Sequence, residues 1–145
     1  MKSRWIVGGG DYLEHAYQAW KQARPDEAVE KIEVPQSPDY AFDLNVFDAL
    51  DPAQGAMFIA FDERFGNFKR MELLQAAMER GFALEPFVAP GASVAPDAVI
   101  GPNVFVGANA SIGSSAHVEY NCVIHAGVNL GFGVRLRPSC WLIWA

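Results

Sequence analysis

From Val88 onward every sixth position is a branched aliphatic residue: Val88, Val94, Ile100, Val106, Ile112, Val118, Ile124, Leu130, Leu136 and Leu142. Val, Ile and Leu supply about one residue in five of the chain, so a chance series this long has a probability on the order of one in ten million. A second series runs in phase four residues after each aliphatic: Ala92, Ala98, Val104, Ala110, Ala116, Cys122, Val128, Val134 and Cys140. All of these are small. Period six fits neither the helical repeat nor the two-residue alternation of a plain strand. It fits a coil of three short strands repeated as a solenoid. The aliphatic points inward, the small residue fills the slot beside the corner, and the residues between make the turn.

Before the repeat the pattern changes. Trp5-Ile6-Val7 predicts a short buried strand, Gly8-Gly9-Gly10 a turn, and Leu13, Ala16, Tyr17 and Trp20 one face of a helix that Pro25 ends. Ile32-Glu33-Val34 predicts a second strand, followed by a loop through Pro35, Ser37 and Pro38. Residues 56–61 form an apolar run of buried-strand length. A helix is predicted over about residues 67–80, with Met71, Leu74 and Met78 inward and Gly81 as its stop. Strands alternating with helices imply a small parallel α/β sheet of three or four strands, a Rossmann-like domain over 1–84. The coil, about three turns of it, occupies 85–145.

Composition narrows the function. Half the residues are apolar, enough for a packed core. The formal charge of −6 and the lack of a basic stripe argue against nucleic acid as a partner. Met1-Lys2-Ser3-Arg4 leads into only three apolar residues before Gly8, so no signal peptide is expected, and no apolar run reaches membrane-spanning length. A cytoplasmic protein is the expectation. Cys122 and Cys140 share the small interior slot one full coil apart and should stack about 4.8 Å from each other as free buried thiols. No metal site is expected.

The glycine turn is a candidate ligand site, since a glycine-rich turn opening a helix offers backbone N–H groups and a positive dipole end to an anion. Asp11 and Glu14 also spell a capping box, in which Asp11 bonds the first-turn amides and Glu14 reaches back. Ligand binding and a capped structural turn are both compatible with these residues. Among the histidines, His125 directly follows Ile124 on the coil, His117 lies in a turn, and His15 sits in the first helix.

Taken in order, Ile6-Val7-Gly8-Gly9-Gly10, Phe58-Ile59-Ala60, Glu79-Arg80-Gly81-Phe82 and Phe87-Val88-Ala89-Pro90 leading into the hexads resemble one family. These are the sialic-acid O-acetyltransferase, bacillosamine and perosamine N-acetyltransferase type of bacterial sugar acetyltransferases. The resemblance implies a left-handed β-helix, a homotrimer with acetyl-CoA between neighbouring coils, and a nucleotide-linked amino sugar held partly by Gly8, Gly9, Gly10 and Asp11. It also implies a histidine base two residues after a coil aliphatic, oriented by an acidic neighbour.

The corresponding stretch here is Leu130-Gly131-Phe132-Gly133. Phe132 stands at the base position and Gly133 at that of its acidic partner, and a phenyl ring cannot take a proton. His125, one hexad earlier, is the displaced candidate, with Glu119 expected on the same outer corner of the preceding turn or from a neighbouring subunit. The coil is also shorter than in the family, ending four residues into a hexad. Trp141 and Trp144 either fold over its open edge or the chain is truncated. The expected function is acetyl-CoA-dependent acetyl transfer to a nucleotide-linked amino sugar for glycan synthesis. The alternative is a catalytically silent β-helix trimer acting as a scaffold.

Overall fold

Strand β1 (Ser3–Gly9) lies at the centre of a three-stranded parallel sheet in the order β2-β1-β3, with β2 spanning Ala28–Glu33 and β3 Gly55–Phe61. The structure is a computed structural model and describes residues 3–34, 42–61 and 66–142. The chain forms two compact units, 1–84 and 85–145.

In the first unit β1 and β3 are near-continuous apolar runs because both of their faces are covered. Helix α1 (Gly10–Ala23) covers one face, where Trp20 meets Phe58 edge-on at 6.0 Å. On the other, Trp5, Val7, Met57 and Ile59 pack with Leu73, Leu74 and Ala77 of α2 (Gly66–Glu79). Strand β2 is half exposed, as an edge strand is. Gly81, at φ 84°, stops α2, and the Phe82 N–H reaches back to the Ala77 carbonyl at 3.2 Å.

Three local expectations are corrected. Gly8 and Gly9 are strand residues, and Gly8 is needed there because a Cβ would lie 1.8 Å from the Ala60 carbonyl oxygen on β3. Met78 faces outward, since the helix turns Leu73, Leu74, Ala76 and Ala77 into the core instead. Tyr17 is only half buried, and Tyr12 takes a place on the covered face of α1. The loop expected through Pro35, Ser37 and Pro38 lies outside the described residues.

The second unit is built from two-residue strands, each ending in one aliphatic of the period-six series. They are β4 (Phe87–Val88), β5 (Ser93–Val94), β6 (Val99–Ile100), β7 (Phe105–Val106), β8 (Ser111–Ile112), β9 (His117–Val118), β10 (Val123–Ile124), β11 (Asn129–Leu130), β12 (Arg135–Leu136) and β13 (Trp141–Leu142). They stack into three parallel sheets, β13-β10-β7-β4, β11-β8-β5 and β12-β9-β6. These rungs fit a left-handed β-helix. The in-phase aliphatics and small residues form one core, densest at Val104, Val106, Ile112, Val118, Cys122 and Ile124.

Both cysteines are free thiols in that column, Cys122 buried and Cys140 half buried, with the Cys122 Sγ 3.1 Å from the Arg137 carbonyl. Trp141 does not fold over the end of the coil: it pairs in register with Val123 as part of β13 and begins a fourth turn. Trp144 lies outside the described residues.

Candidate functional site

His125 leaves β10 at the corner between the first two sheets. Its N–H donates to the Leu142 carbonyl at 3.0 Å, so the last described strand anchors its backbone. Its imidazole lies 5.6 Å from the Trp141 ring, the planes inclined at 46°. The residue is half buried, with Nε2 shielded from solvent. Gly107 lies directly below: a Cβ there would come within 2.6 Å of the Ala126 nitrogen and 2.9 Å of the His125 carbonyl carbon. Ala126 and Gly127, which follow His125, are exposed and small.

Glu119 is not at this corner. It leaves β9, in another sheet, and pairs with Arg135 at 3.9 Å. Within one chain the coil path separates the two by a full face, which corrects the expectation of a shared corner. His117 points outward in β9 between Val99 and Arg135, and His15 lies on α1, so neither joins His125 within its unit.

At the other candidate site, β1 runs straight into α1. Gly9 is the N-cap, extended at φ −168°, and Gly10 takes φ 77°. No side chain caps the helix. The capping box is therefore corrected: the chain enters the helix two residues before Asp11, which puts that carboxylate in the first turn rather than at the cap. Glu14 turns away to Lys31 Nζ and to Gln18 Nε2 at 3.0 Å. The Lys31 hydrogen bond, then that of Gln18, holds the Glu14 carboxyl below its ordinary value. The first-turn N–H groups are left without a side-chain cap, and Asp11 stands exposed beside them.

No family model matches the chain, and no curated protein is significantly similar in sequence. Solved structures do match. The acetyltransferase domain of PglB from Neisseria gonorrhoeae FA1090 superposes with a TM-score of 0.76 at 18% identity, over 97% of this chain and 70% of that one. PerB from Caulobacter crescentus, solved with CoA and GDP-perosamine, superposes with a TM-score of 0.74 at 22% identity, over 97% of this chain and 68% of that one. The chain has the fold of these acetyltransferases. The resemblance drawn from the hexads and the glycine turn names the same kind of protein as these neighbours, whose likeness to the chain is one of fold.

Against that fold, Phe132 stands at the next corner, 81% exposed. Gly133 beside it takes φ 69°, and its N–H donates to the Ser114 carbonyl at 2.9 Å. It belongs to a third in-phase series that the hydrophobic pattern alone does not reveal. Gly91, Asn103, Asn109, Ser115, Asn121, Gly127, Gly133 and Ser139 recur six or twelve residues apart, each just before the small slot, and all have positive φ. A hexapeptide coil turns its corner through the left-handed region there, which Gly and Asn enter at least cost. The signal was in the sequence as a run of Gly, Asn and Ser.

Asp97 occupies the one remaining place without that conformation. Its carboxylate instead accepts from Ser114 Oγ at 2.8 Å, Ser115 N at 3.1 Å and Ser115 Oγ at 3.2 Å. These bonds, Ser114's foremost, hold it below the usual carboxylate range. Among the described residues no group of three or more His, Cys, Asp or Glu is placed to hold a metal ion, and no helix is long and apolar enough to cross a membrane.

Proposed function

We propose that this protein is a cytoplasmic, homotrimeric acetyltransferase that moves the acetyl group of acetyl-CoA to the amino sugar of a nucleotide-linked sugar. The observation that carries this reading is the match of 97% of the chain to a structure solved with both CoA and GDP-perosamine. In this reading the first unit is a Rossmann-like domain, and Gly8, Gly9, Gly10 and Asp11, at the uncapped start of α1, receive the nucleotide-linked sugar.

His125 serves as general base. It takes the proton from the acceptor nitrogen as that nitrogen attacks the thioester carbonyl, and returns it to the departing thiol as the carbon–sulfur bond breaks. Ala126 and Gly127, small and exposed, follow His125 at the corner. No covalent intermediate is needed.

A silent β-helix trimer serving as a scaffold is the second reading. Phe132 favours it, because an exposed phenyl ring stands where the family's base belongs.

One experiment separates the two. The purified chain is incubated with acetyl-CoA and a panel of nucleotide-linked amino sugars, GDP-perosamine among them, and thiol release is followed. Release that is lost in His125→Ala is expected. No release with any acceptor, and no acetyl-CoA binding by calorimetry, overturns the enzyme in favour of the scaffold. Light scattering should give the mass of three chains; a monomer contradicts a site shared between coils.

A further inference from the structure

The last described strand does more than lengthen a sheet. Leu142 holds the His125 backbone through the 3.0 Å N–H···O bond, and Trp141 sets its indole 5.6 Å from the imidazole. Both contacts come from a two-residue strand, paired to β10 in register. The separation lies within the range over which an aromatic face attracts a cation.

Neither β10 nor β13 carries a titratable side chain of its own. Strands β10 and β13 carry Val123, Ile124, Trp141 and Leu142, and the residues stacked below His125 at its corner are Gly107 and Ala89. The charged groups Glu119, Arg135 and Arg137 belong to the β12-β9-β6 sheet and the corner after it.

We infer that Trp141 is the positioning residue of His125: its indole steadies the imidazole and favours the imidazolium that forms when the acceptor's proton arrives. This rests on His125 being the base, and it assigns to Trp141 a part that the fold alone does not require. An aliphatic of similar bulk would fill the same place in β13 without attracting the charge.

The test is an NMR titration of the imidazole Cε1–H signals in the full chain, with His125→Gln assigning the His125 resonance. In Trp141→Leu the His125 midpoint should fall by about half a pH unit, and in Trp141→Phe by less, because the smaller ring attracts a cation less strongly. An unchanged or higher midpoint in Trp141→Leu overturns the inference. If Trp141→Leu does not fold, Trp141→Phe decides it by the same criterion.

The transfer assay then separates the two proposals. An acid limb of the pH–rate profile that follows the midpoint across these variants supports both. A midpoint that moves while the acid limb stays removes His125 as base, and with it the positioning role.

Discussion

The Asn103 carboxamide donates a 3.1 Å hydrogen bond to the Asn121 carboxamide one coil above. Asn121 in turn donates to Ser139 Oγ at 2.9 Å. All three residues are buried and all three have positive φ. Asn suits the place twice over, tolerating the left-handed corner and both donating and accepting along the stack. Asn121→Ala removes both bonds and puts a Cβ-bearing residue without local compensation into that conformation. It should cost about 3 kcal/mol in denaturant unfolding followed by circular dichroism. Asn121→Gly relieves the backbone term and should cost about 1 kcal/mol less. A loss under about 1 kcal/mol for the alanine variant would show that the ladder is incidental.

Gly107→Ala tests the corner under His125. The new methyl meets backbone atoms at 2.6 Å and 2.9 Å, which cannot rotate away, so neighbouring coils must part. A destabilisation of about 1–3 kcal/mol is expected, and thiol release should drop at least about tenfold as the imidazole shifts. Gly131→Ala holds the same place after β11 with nothing within 4 Å, and should stay within about 0.5 kcal/mol of the parent. Equal effects from the two substitutions would refute the steric account.

A pH-dependent contribution comes from the first unit. Buried Arg4 stacks on Trp20 at 4.0 Å and donates through Nε to Glu27 at 2.7 Å. That hydrogen bond, reinforced by the Arg4 and Arg24 charges, holds the Glu27 carboxyl below its ordinary value of 4.5. A carboxyl lowered on folding stabilises above its unfolded value, and the gain is lost as pH falls through the folded one. Stability should therefore be level above about pH 5 and decline below 4.5. Glu27→Gln should lower stability at pH 7 by about 1–2 kcal/mol and flatten the acid decline. An acid decline equally steep in the variant would assign it to other carboxylates.

Phe132 and Gly133 separate family chemistry from coil geometry. Phe132→Ser should leave the unfolding of the single chain within about 0.5 kcal/mol, because an 81% exposed ring contributes little to its own coil. Gly133→Asn should cost about 1 kcal/mol or less, since Asn103, Asn109 and Asn121 occupy the equivalent place. Gly133→Val should cost about 2 kcal/mol or more, because a β-branched residue resists positive φ. Thermal melts of the three variants provide the comparison, and an Asn variant as damaged as the Val variant would contradict the corner series.

By itself the chain determined what repeats. Period six marks which residues point inward from Val88 to Leu142, because strand parity and the coil's return are properties of spacing alone. The Gly81 stop and the buried run over residues 56–61 were legible for the same local reason. The Gly, Asn and Ser corner series was equally local, and is visible once each hexad position is read for backbone conformation as well as hydropathy. Tertiary structure alone decided the contacts around the candidate sites: Trp141 beside His125, Glu119 on a different corner with Arg135, and the helix cap at Gly9 with Glu14 drawn to Lys31. Each joins groups whose distance depends on how strands stack or on where a strand ends against its neighbour, and hydrophobic spacing carries no record of either.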